Sequence, residues 1–308
     1  MSLYDVVIIG GGPAGLAAGT YAARAALKTL LLEKGMPGGL AAGTEFIENY
    51  PGFAEGVGGP ELMMQMDAQA RRFGTEVKSA TAERIEVGES YFTIHTDEGV
   101  MTSKTIILAT GAQSQKLNIP GEEQFHGRGV SYCATCDGAF FKDKEVAVIG
   151  GGNAAVEEAI YLTKFVGKVH LIHRRGELRA AKILQQRALE HEKIVIHWHS
   201  VVENISGQAT VNEITVKDVR SGETKPLAVQ GIFVYVGTLP VTALVTGVLK
   251  LDERGYIVTD ENMHTSLPGI FAAGDVRQKL LRQVVTAVAD GAIAAVAAEQ
   301  YIDSLQNN

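Results

Sequence analysis

The fold of this chain is decided by one stretch, Val6-Val7-Ile8-Ile9-Gly10-Gly11-Gly12-Pro13-Ala14-Gly15. Its aliphatic run contains no polar residue, which is typical of a buried parallel strand, and the small residues at 16–26 then predict a helix. In such a turn Gly10 allows the tight bend, Gly12 lets a pyrophosphate approach the backbone, and Gly15 lets helix and strand pack closely. The stretch therefore predicts a strand, a turn and a helix that bind a dinucleotide.

The same pattern returns 140 residues later, where the apolar run 146–149 precedes Gly150-Gly151-Gly152-Asn153-Ala154-Ala155. Gly150, Gly152 and Ala155 hold the three positions of the motif. Each turn follows a predicted strand, precedes a predicted helix and leads to a second predicted strand. One such turn is weak evidence, whereas two in the same context predict an α/β fold with two Rossmann-like dinucleotide-binding domains of three-layer ββα type.

The residue that ends the second strand distinguishes the two dinucleotides. Glu33 follows Gly10 by 23 residues, where an acid binds a ribose 2′-OH, so the first motif predicts an adenosine with a free 2′-OH, as in FAD. The corresponding position of the second motif begins a basic cluster: His173, Arg174, Arg175 and Arg179. Arginines pair with a 2′-phosphate through charge-assisted hydrogen bonds, so the second motif predicts NADPH rather than NADH.

A later apolar segment, 269–273, is followed by Gly274-Asp275. Open α/β sheets bind ligands at the carboxyl ends of their strands, which predicts that Asp275 lies at a ligand site. The segment 284–298 is small and apolar apart from Asp290. Its apolar run is too short for a membrane span, so we expect a helix packed against the sheet or a ligand.

Two cysteines, Cys133 and Cys136, are too few for a disulfide framework, and their C-x-x-C spacing is typical of a redox pair or of half a metal site. Zinc would need further ligands, from His126 or the 197–199 stretch. Two buried structural thiols are the other alternative. We favour a redox-active dithiol, because the pair closes a small ring and Asp137 beside it offers an acid/base.

Composition sets the remaining limits. A length of 308 residues suggests about two domains. With 46% apolar and 20% charged residues the chain is globular rather than disordered. The net charge of −7 argues against nucleic-acid binding. We expect neither a signal peptide nor a membrane span, and therefore a cytoplasmic protein.

The matching motifs of a known family are Gly10-x-Gly12-x-x-Gly15, Glu48-Asn49-Tyr50-Pro51-Gly52, Ala109-Thr110-Gly111, Cys133-Ala134-Thr135-Cys136-Asp137-Gly138, Gly150-x-Gly152-x-x-Ala155, His173-Arg174-Arg175-x-x-x-Arg179, Gly274-Asp275 and Arg282-Gln283. Over nearly its full length the chain resembles the low-molecular-weight, bacterial-type thioredoxin reductases, of class II of the pyridine nucleotide-disulfide oxidoreductases. The cysteine motif just before the second glycine turn is specific, since glutathione- and lipoamide-type reductases carry a C-x-x-x-x-C pair in the first domain.

The resemblance implies an FAD-binding domain that is split in sequence, 1–112 and 244–308, with an NADPH-binding domain inserted at 113–243. It implies an NADPH-dependent thioredoxin-disulfide reductase that forms a homodimer and has thioredoxin as its protein partner. The disulfide and NADPH then share one domain, and two groups on one rigid body do not occupy the same place over the flavin. We therefore expect the inserted domain to rotate about its two linkers during turnover.

The resemblance also implies roles for single residues near the flavin. Asp275, after Gly274, would bind the ribityl chain of FAD. Asn49 and Gln283 would lie near the flavin. Cys136 would be the sulfur next to it.

On the side of the protein substrate, the resemblance makes Cys133 the sulfur that attacks thioredoxin and Asp137 the acid/base. Phe140 and Phe141 resemble an aromatic pair that helps to dock thioredoxin. Ordinary packing in the core is an equally good interpretation of these two rings.

Several alternatives remain open from the sequence. The same chemistry could serve a peroxiredoxin- or glutaredoxin-like partner, or the enzyme could take its electrons from a ferredoxin, although the basic cluster at 173–179 favours NADPH. A flavin-dependent dithiol oxidase would pass the electrons to O₂. A redox-sensing binding module would use the two dinucleotide sites without turnover.

One position departs from the family. The usual Gly-Gly-Gln, with its glutamine near the flavin, is replaced by Gly38-Gly39-Leu40. The following loop, 41–45, also has fewer hydroxyl groups than usual. We expect these changes to weaken flavin retention or to shift the flavin potential.

The substitution Leu40→Gln tests this expectation. Restoring the amide should shift the midpoint potential of the bound flavin or slow its loss, because a polar group would again contact it. A redox titration and a dilution assay measure both quantities. An unchanged potential together with unchanged retention would contradict the expectation.

Overall fold

The computed structural model describes residues 3–306 and divides the chain into two compact units. The first unit comprises Met1–Gln113 and Leu239–Asn308, and the second comprises Ser114–Thr238. The second unit is therefore inserted into the first, and the chain passes between them twice. At these junctions β7 (Ala112–Ser114) and β16 (Thr238–Pro240) pair as a two-stranded sheet.

A seven-stranded sheet forms the centre of the first unit. Its strands are β1 (Leu3–Ile9), β2 (Thr29–Glu33), β3 (Glu76–Ser79), β4 (Ala82–Val87), β5 (Phe92–Thr96), β6 (Gly99–Leu108) and β17 (Ile270–Ala272). The order is β3-β2-β1-β6-β5-β4, and β17 pairs with β6 outside this path. The pairs are parallel except for β4 with β5 and β5 with β6. The helices of this unit are α1 (Pro13–Arg24), α2 (Gly59–Arg72) and α6 (Val284–Gln306).

The second unit has a five-stranded parallel sheet between helices and a small antiparallel sheet. The parallel strands are β8 (Val130–Ser131), β9 (Glu145–Gly150), β10 (Lys168–Ile172), β11 (Ile194–His197) and β15 (Gly231–Tyr235), in the order β11-β10-β9-β15-β8. The antiparallel strands are β12 (Ser200–Gly207), β13 (Val211–Asp218) and β14 (Thr224–Ala228). The helices are α3 (Ala134–Asp137), α4 (Asn153–Leu162) and α5 (Lys182–Leu189). One apolar cluster joins the parallel sheet to α4 and α5, and another joins it to β12 and β13.

Both glycine turns lie where the sequence predicts them. The first connects β1 to α1, and the second connects β9 to α4. In each unit the strand with the turn lies inside the parallel sheet, with parallel neighbours on both sides. The predicted α/β class with two Rossmann-type units is confirmed.

The small-residue helix predicted at 284–298 is α6, which packs against α1. Asp290 does not interrupt this helix, because Lys279 and Arg277 neutralise its carboxylate at 2.7 and 3.2 Å. A Cβ on Gly291 would collide with the carbonyl oxygen of Ala14, so glycine is required for this close helix pair. Among residues 3–306, no helix is long and apolar enough to cross a membrane.

We predict that Gly291→Ala destabilises the first unit by about 2–3 kcal/mol, because the added methyl group must push α6 away from α1. This cost exceeds the gain in helix propensity of about 1 kcal/mol. Urea unfolding followed by circular dichroism measures the change. Gly35→Ala is the control, since a Cβ there meets no atom within 4 Å; equal stability of the two variants would contradict the prediction.

Candidate active site

The first glycine turn has the geometry that a dinucleotide needs. Gly10 has a φ of +110°, and a Cβ on Gly15 would collide with the Gly10 carbonyl oxygen. Gly12 is the N-cap of α1, and the nearest atom to a Cβ there would be the Cα of Gly39, at 4.0 Å. The tight bend and the close helix packing are thus fixed by Gly10 and Gly15. The space in front of Gly12 stays open for a phosphate.

Glu33, expected to bind a ribose, lies at the end of β2 beside this turn. Its Oε2 accepts a hydrogen bond from the Gly11 N–H at 2.7 Å, and its Oε1 accepts one from the Gly35 N–H at 3.1 Å. The Gly11 carbonyl oxygen in turn accepts from the Gly38 N–H at 2.7 Å, which brings the Gly38–Gly39 loop to the same place. Leu40, on that loop, is half exposed.

Asn49 and Gln283, expected near a flavin, are brought together by the fold although 234 residues separate them. The Asn49 Nδ2–H donates to the Gln283 Oε1 at 2.9 Å. Gln283 immediately precedes α6, and its carbonyl oxygen accepts from the Thr286 hydroxyl. One hydrogen bond therefore joins two residues that the family resemblance places near the same ligand.

Asp275 lies three residues after the end of β17 and carries a buried Oδ1 that has no hydrogen-bond partner among the described residues. Burial raises the pKa of this carboxyl, while the charges of Lys279 and Arg282 oppose the rise and that of Asp290 adds to it. A buried acceptor without a partner is costly unless a ligand supplies the donor. The hydroxyl groups of a ribityl chain are donors of the required kind, so the residues present fit FAD.

Asp290 is a contributor to this site that sequence reasoning missed. Its Oδ2 accepts from the Gly274 N–H at 3.0 Å, and the same carboxylate forms the buried pairs with Lys279 and Arg277. Asp290 therefore fixes the backbone that places Asp275. The available signal was a lone acid in an otherwise small and apolar helix.

The second glycine turn repeats this geometry in the other unit. Gly150 has a φ of +151°, and a Cβ there would collide with the carbonyl oxygen of Tyr235 and lie 2.7 Å from the Ala155 Cβ. Gly152 is the N-cap of α4, and a Cβ on it would meet no atom within 4 Å. Space for a second pyrophosphate is therefore present at the start of α4.

Two members of the basic cluster, His173 and Arg179, contact this turn. His173 is buried against Gly151 and donates from Nε2 to the Glu177 carbonyl oxygen at 2.9 Å. Burial is the main cause of its lowered pKa, so this ring is a neutral support of the turn. The Arg179 N–H donates to the Gly151 carbonyl oxygen at 2.7 Å. The exposed side chains available to a phosphate are those of Arg174, Arg175 and Arg179.

Cys133 and Cys136 form a disulfide, as the redox interpretation expects. Cys133 is the N-cap of the one-turn helix α3, and its N–H donates to Ser131 Oγ at 3.0 Å. Cys136 is exposed and Cys133 half-buried. Asp137 ends α3 and follows the exposed Cys136 in the sequence.

The zinc alternative receives no support from the described residues, where no group of three His, Cys, Asp or Glu side chains could hold a metal ion. His197, one of its candidate ligands, shares a hydrogen bond of 2.9 Å with His170, which donates to Glu145 at 2.9 Å. This chain of hydrogen bonds crosses three neighbouring strands of the second unit.

The two phenylalanines after the disulfide have different surroundings. Phe141 packs edge-on against Phe233 with ring centres 5.5 Å apart, which is core packing. Phe140 is 75% exposed. Of the pair expected to dock a protein partner, Phe140 is therefore the one whose ring is accessible.

Comparisons with known proteins agree with this geometry. Residues 4–291 match the family of pyridine nucleotide-disulphide oxidoreductases. The chain is 48% identical to a thioredoxin reductase of Treponema pallidum, over 99% of each chain. It is similar to the crystal structure of Lactococcus lactis thioredoxin reductase in its FR conformation, with 50% identity, a TM-score of 0.96 and coverage of 98% and 99%. Thioredoxin reductase from Streptococcus pyogenes is 48% identical over 98% and 99% of the two chains, with a TM-score of 0.66.

We predict that the second unit loses stability as the pH falls. Burial, with the charges of His170 and Lys225, lowers the pKa of His197 to about 4 from its usual 6.5. Between these pH values the unfolded chain binds a proton that the folded chain excludes, so the free energy of unfolding falls as the pH is lowered through this range.

Fluorescence of Trp198, the single tryptophan, reports the unfolding of this unit in urea. Between about pH 7 and about pH 5, His197→Gln should lose less unfolding free energy than the wild type, since glutamine does not titrate. The same pH dependence in both proteins would contradict the assignment.

Proposed function

The chain belongs to the pyridine nucleotide-disulphide oxidoreductases and, within them, to the thioredoxin reductases, and on that premise we propose that it uses NADPH, through FAD, to reduce the disulfide of thioredoxin. The observation that carries this proposal is the Cys133–Cys136 disulfide on the same unit as the second dinucleotide turn. A disulfide that served only to stabilise the fold would not require a dinucleotide site in the same unit.

We assign FAD to the first unit. The turn at Gly10, Gly12 and Gly15 would bind the pyrophosphate, and Glu33 would bind the ribose. Near the flavin itself we place Asn49, Gln283, Gly274 and Asp275. The open space at Gly12 and the unsatisfied Asp275 Oδ1 support this assignment. When bound, the flavin supplies the chemistry that accepts a hydride from NADPH and passes two electrons to a disulfide.

We assign NADPH to the second unit. Gly150, Gly152 and Ala155 would form its pyrophosphate site, with the 2′-phosphate facing Arg174, Arg175 and Arg179, and His173 behind the turn. Exposed guanidinium groups at the end of β10 support this choice, because they favour a phosphate over a free ribose hydroxyl. The domain bounds of 112/113 and 243/244 stay a prediction.

The residues of the disulfide motif would carry the thiol chemistry. Once the Cys133–Cys136 bond has taken up two electrons and one proton, it is open as one thiolate and one thiol. The Cys133 thiolate attacks one sulfur of thioredoxin and the other sulfur leaves, which gives a mixed disulfide. Asp137 takes the proton of Cys136, which attacks Cys133, restores the original bond and releases the second thioredoxin sulfur as a thiolate. That proton and one proton from water then protonate the two thioredoxin thiolates, which gives the dithiol.

The chain order requires the units to move. The disulfide and the basic cluster belong to one unit, and the flavin is assigned to the other. The disulfide and a nicotinamide bound near the basic cluster therefore cannot contact the flavin at the same time. Rotation about the junctions at β7 and β16 would alternate them. Two relatives support this view. The Lactococcus lactis and Streptococcus pyogenes enzymes are 50% and 48% identical to this chain, but their TM-scores are 0.96 and 0.66. This difference is expected if equally related enzymes adopt different arrangements of their two units.

We extend the proposal to a cytoplasmic homodimer that binds neither nucleic acid nor membrane. The net charge of −7 is unfavourable for binding to phosphate backbones and anionic lipids. On α6, Ile293 and Val296 are 40% and 42% exposed and lie one turn apart, an apolar strip that a second copy would cover.

The test is anaerobic coenzyme oxidation by the purified yellow protein with thioredoxin as acceptor. Wild-type protein should turn over with NADPH and much more slowly with NADH. Cys133→Ser should lose thioredoxin reduction by about a thousandfold, because the attacking thiolate is gone, while NADPH still bleaches the flavin.

Four outcomes would change the assignment. Rapid thioredoxin reduction by Cys133→Ser, or no bleaching of the wild-type flavin by NADPH, would contradict it. Bleaching without thioredoxin reduction would keep the flavoenzyme and direct attention to another disulfide partner, such as a peroxiredoxin- or glutaredoxin-like protein. Rapid peroxide formation without thioredoxin would favour a dithiol oxidase.

A further inference from the structure

The hydroxyl group of Tyr235 connects the dinucleotide turn to the disulfide. Tyr235 ends β15, and its carbonyl oxygen lies where a Cβ of Gly150 would have to be. Its side-chain oxygen accepts the N–H of Ala134, the first residue of α3, at 2.8 Å. Ala134 is completely buried, so without this acceptor its N–H would be a buried donor with no acceptor in its present geometry.

The turn that this contact holds also supplies the donors around Cys133. The Cys136 N–H points at Cys133 Sγ at 3.2 Å, and the Thr135 hydroxyl lies 3.3 Å from the same sulfur. Both donors stand within two residues of Ala134. A shift of α3 at Ala134 would therefore move both donors relative to the sulfur.

We propose that Tyr235 is a positioning residue of the dithiol, which, by holding the Ala134 N–H, keeps the Cys136 N–H and the Thr135 hydroxyl directed at Cys133 and thereby stabilises the Cys133 thiolate. The inference rests on the proposed function only in that it concerns the same dithiol. Opening of the disulfide by two electrons and one proton leaves a thiolate at Cys133 and a thiol at Cys136. Donors directed at Cys133 favour this distribution of charge over the reverse.

Tyr235 is suited to this task because it stays uncharged. Burial raises its pKa well above the usual value, and the carboxylates of Glu158 on α4 and Asp137 on α3 add to the rise, whereas the Ala134 N–H opposes it. These are the titratable groups that act on it from α3 and α4. A neutral hydroxyl accepts from the Ala134 N–H without adding a negative charge beside the thiolate.

The test is the pH dependence of alkylation in the reduced holoenzyme. The protein is reduced anaerobically with dithiothreitol, freed of the reductant and treated with iodoacetamide at a series of pH values, and the Cys133 and Cys136 peptides are quantified by mass spectrometry. In Tyr235→Phe, which keeps the buried ring, the apparent pKa of Cys133 should rise by about one pH unit, the equivalent of one lost hydrogen bond.

Two further variants make the result specific. Tyr132→Phe removes the hydroxyl of a tyrosine next to Cys133 that donates to Glu122 at 2.7 Å, and it should leave the Cys133 profile unchanged. Thr135→Val should raise the Cys133 pKa, as Tyr235→Phe does. Superimposed profiles of Tyr235→Phe and wild type, or equal shifts in Tyr235→Phe and Tyr132→Phe, would overturn the inference.

The readout needs neither NADPH nor thioredoxin. A wild-type protein that fails to reduce thioredoxin would contradict the proposed function and leave the alkylation result standing. A Tyr235→Phe profile identical to the wild type would overturn the inference and leave the proposed function standing.

Discussion

In each unit a carbonyl oxygen lies where the Cβ of a glycine in the dinucleotide turn would be. The rest of the molecule depends on this close approach of backbone to backbone. The Gly10 carbonyl oxygen stands against Gly15, and the Tyr235 carbonyl oxygen stands against Gly150. Each contact lets a helix start directly behind the end of a parallel strand, with open space before its first turn. These two openings are the places at which the two dinucleotides are proposed to bind. The strand next to the second opening, β15, also carries the Tyr235 hydroxyl that accepts the N–H of Ala134 in the disulfide turn.

Much of this could be predicted from the sequence, because the deciding signals are local. Continuous apolar runs and the glycine spacing predict the central strands and the helices after them. The antiparallel strands β4, β5 and β12–β14 were not predicted. β4 and β12–β14 alternate irregularly between buried and exposed residues, and β5 alternates regularly but over only five residues. Contacts between residues far apart in the sequence were not predicted either. Examples are the hydrogen bonds from Asn49 to Gln283, from Gly274 to Asp290 and from Ala134 to Tyr235. These contacts depend on how the strands and helices pack, which the spacing of residues in the sequence does not show.

The insertion of one unit into the other divides the groups proposed for electron transfer between two units. A group of exposed arginines and a disulfide lie on the inserted unit, while the unsatisfied Asp275 oxygen and the Asn49–Gln283 pair lie on the other. Electrons that enter at the arginines and leave through Cys133 would have to cross between units twice. Within residues 3–306 the chain passes between the units at two places, inside the short strands β7 and β16, which suits a rotation that leaves the interior of each unit intact.

The measurement that tests this account most directly is the distance between the two units in solution. Dyes attached through unnatural amino acids at the exposed turn residues Glu98 and Arg220 report it by single-molecule energy transfer, without disturbing either cysteine. The account predicts two distances whose populations shift when NADP⁺ is added. A single distance, unchanged in the oxidised, NADP⁺-bound and thioredoxin-bound protein, would contradict it.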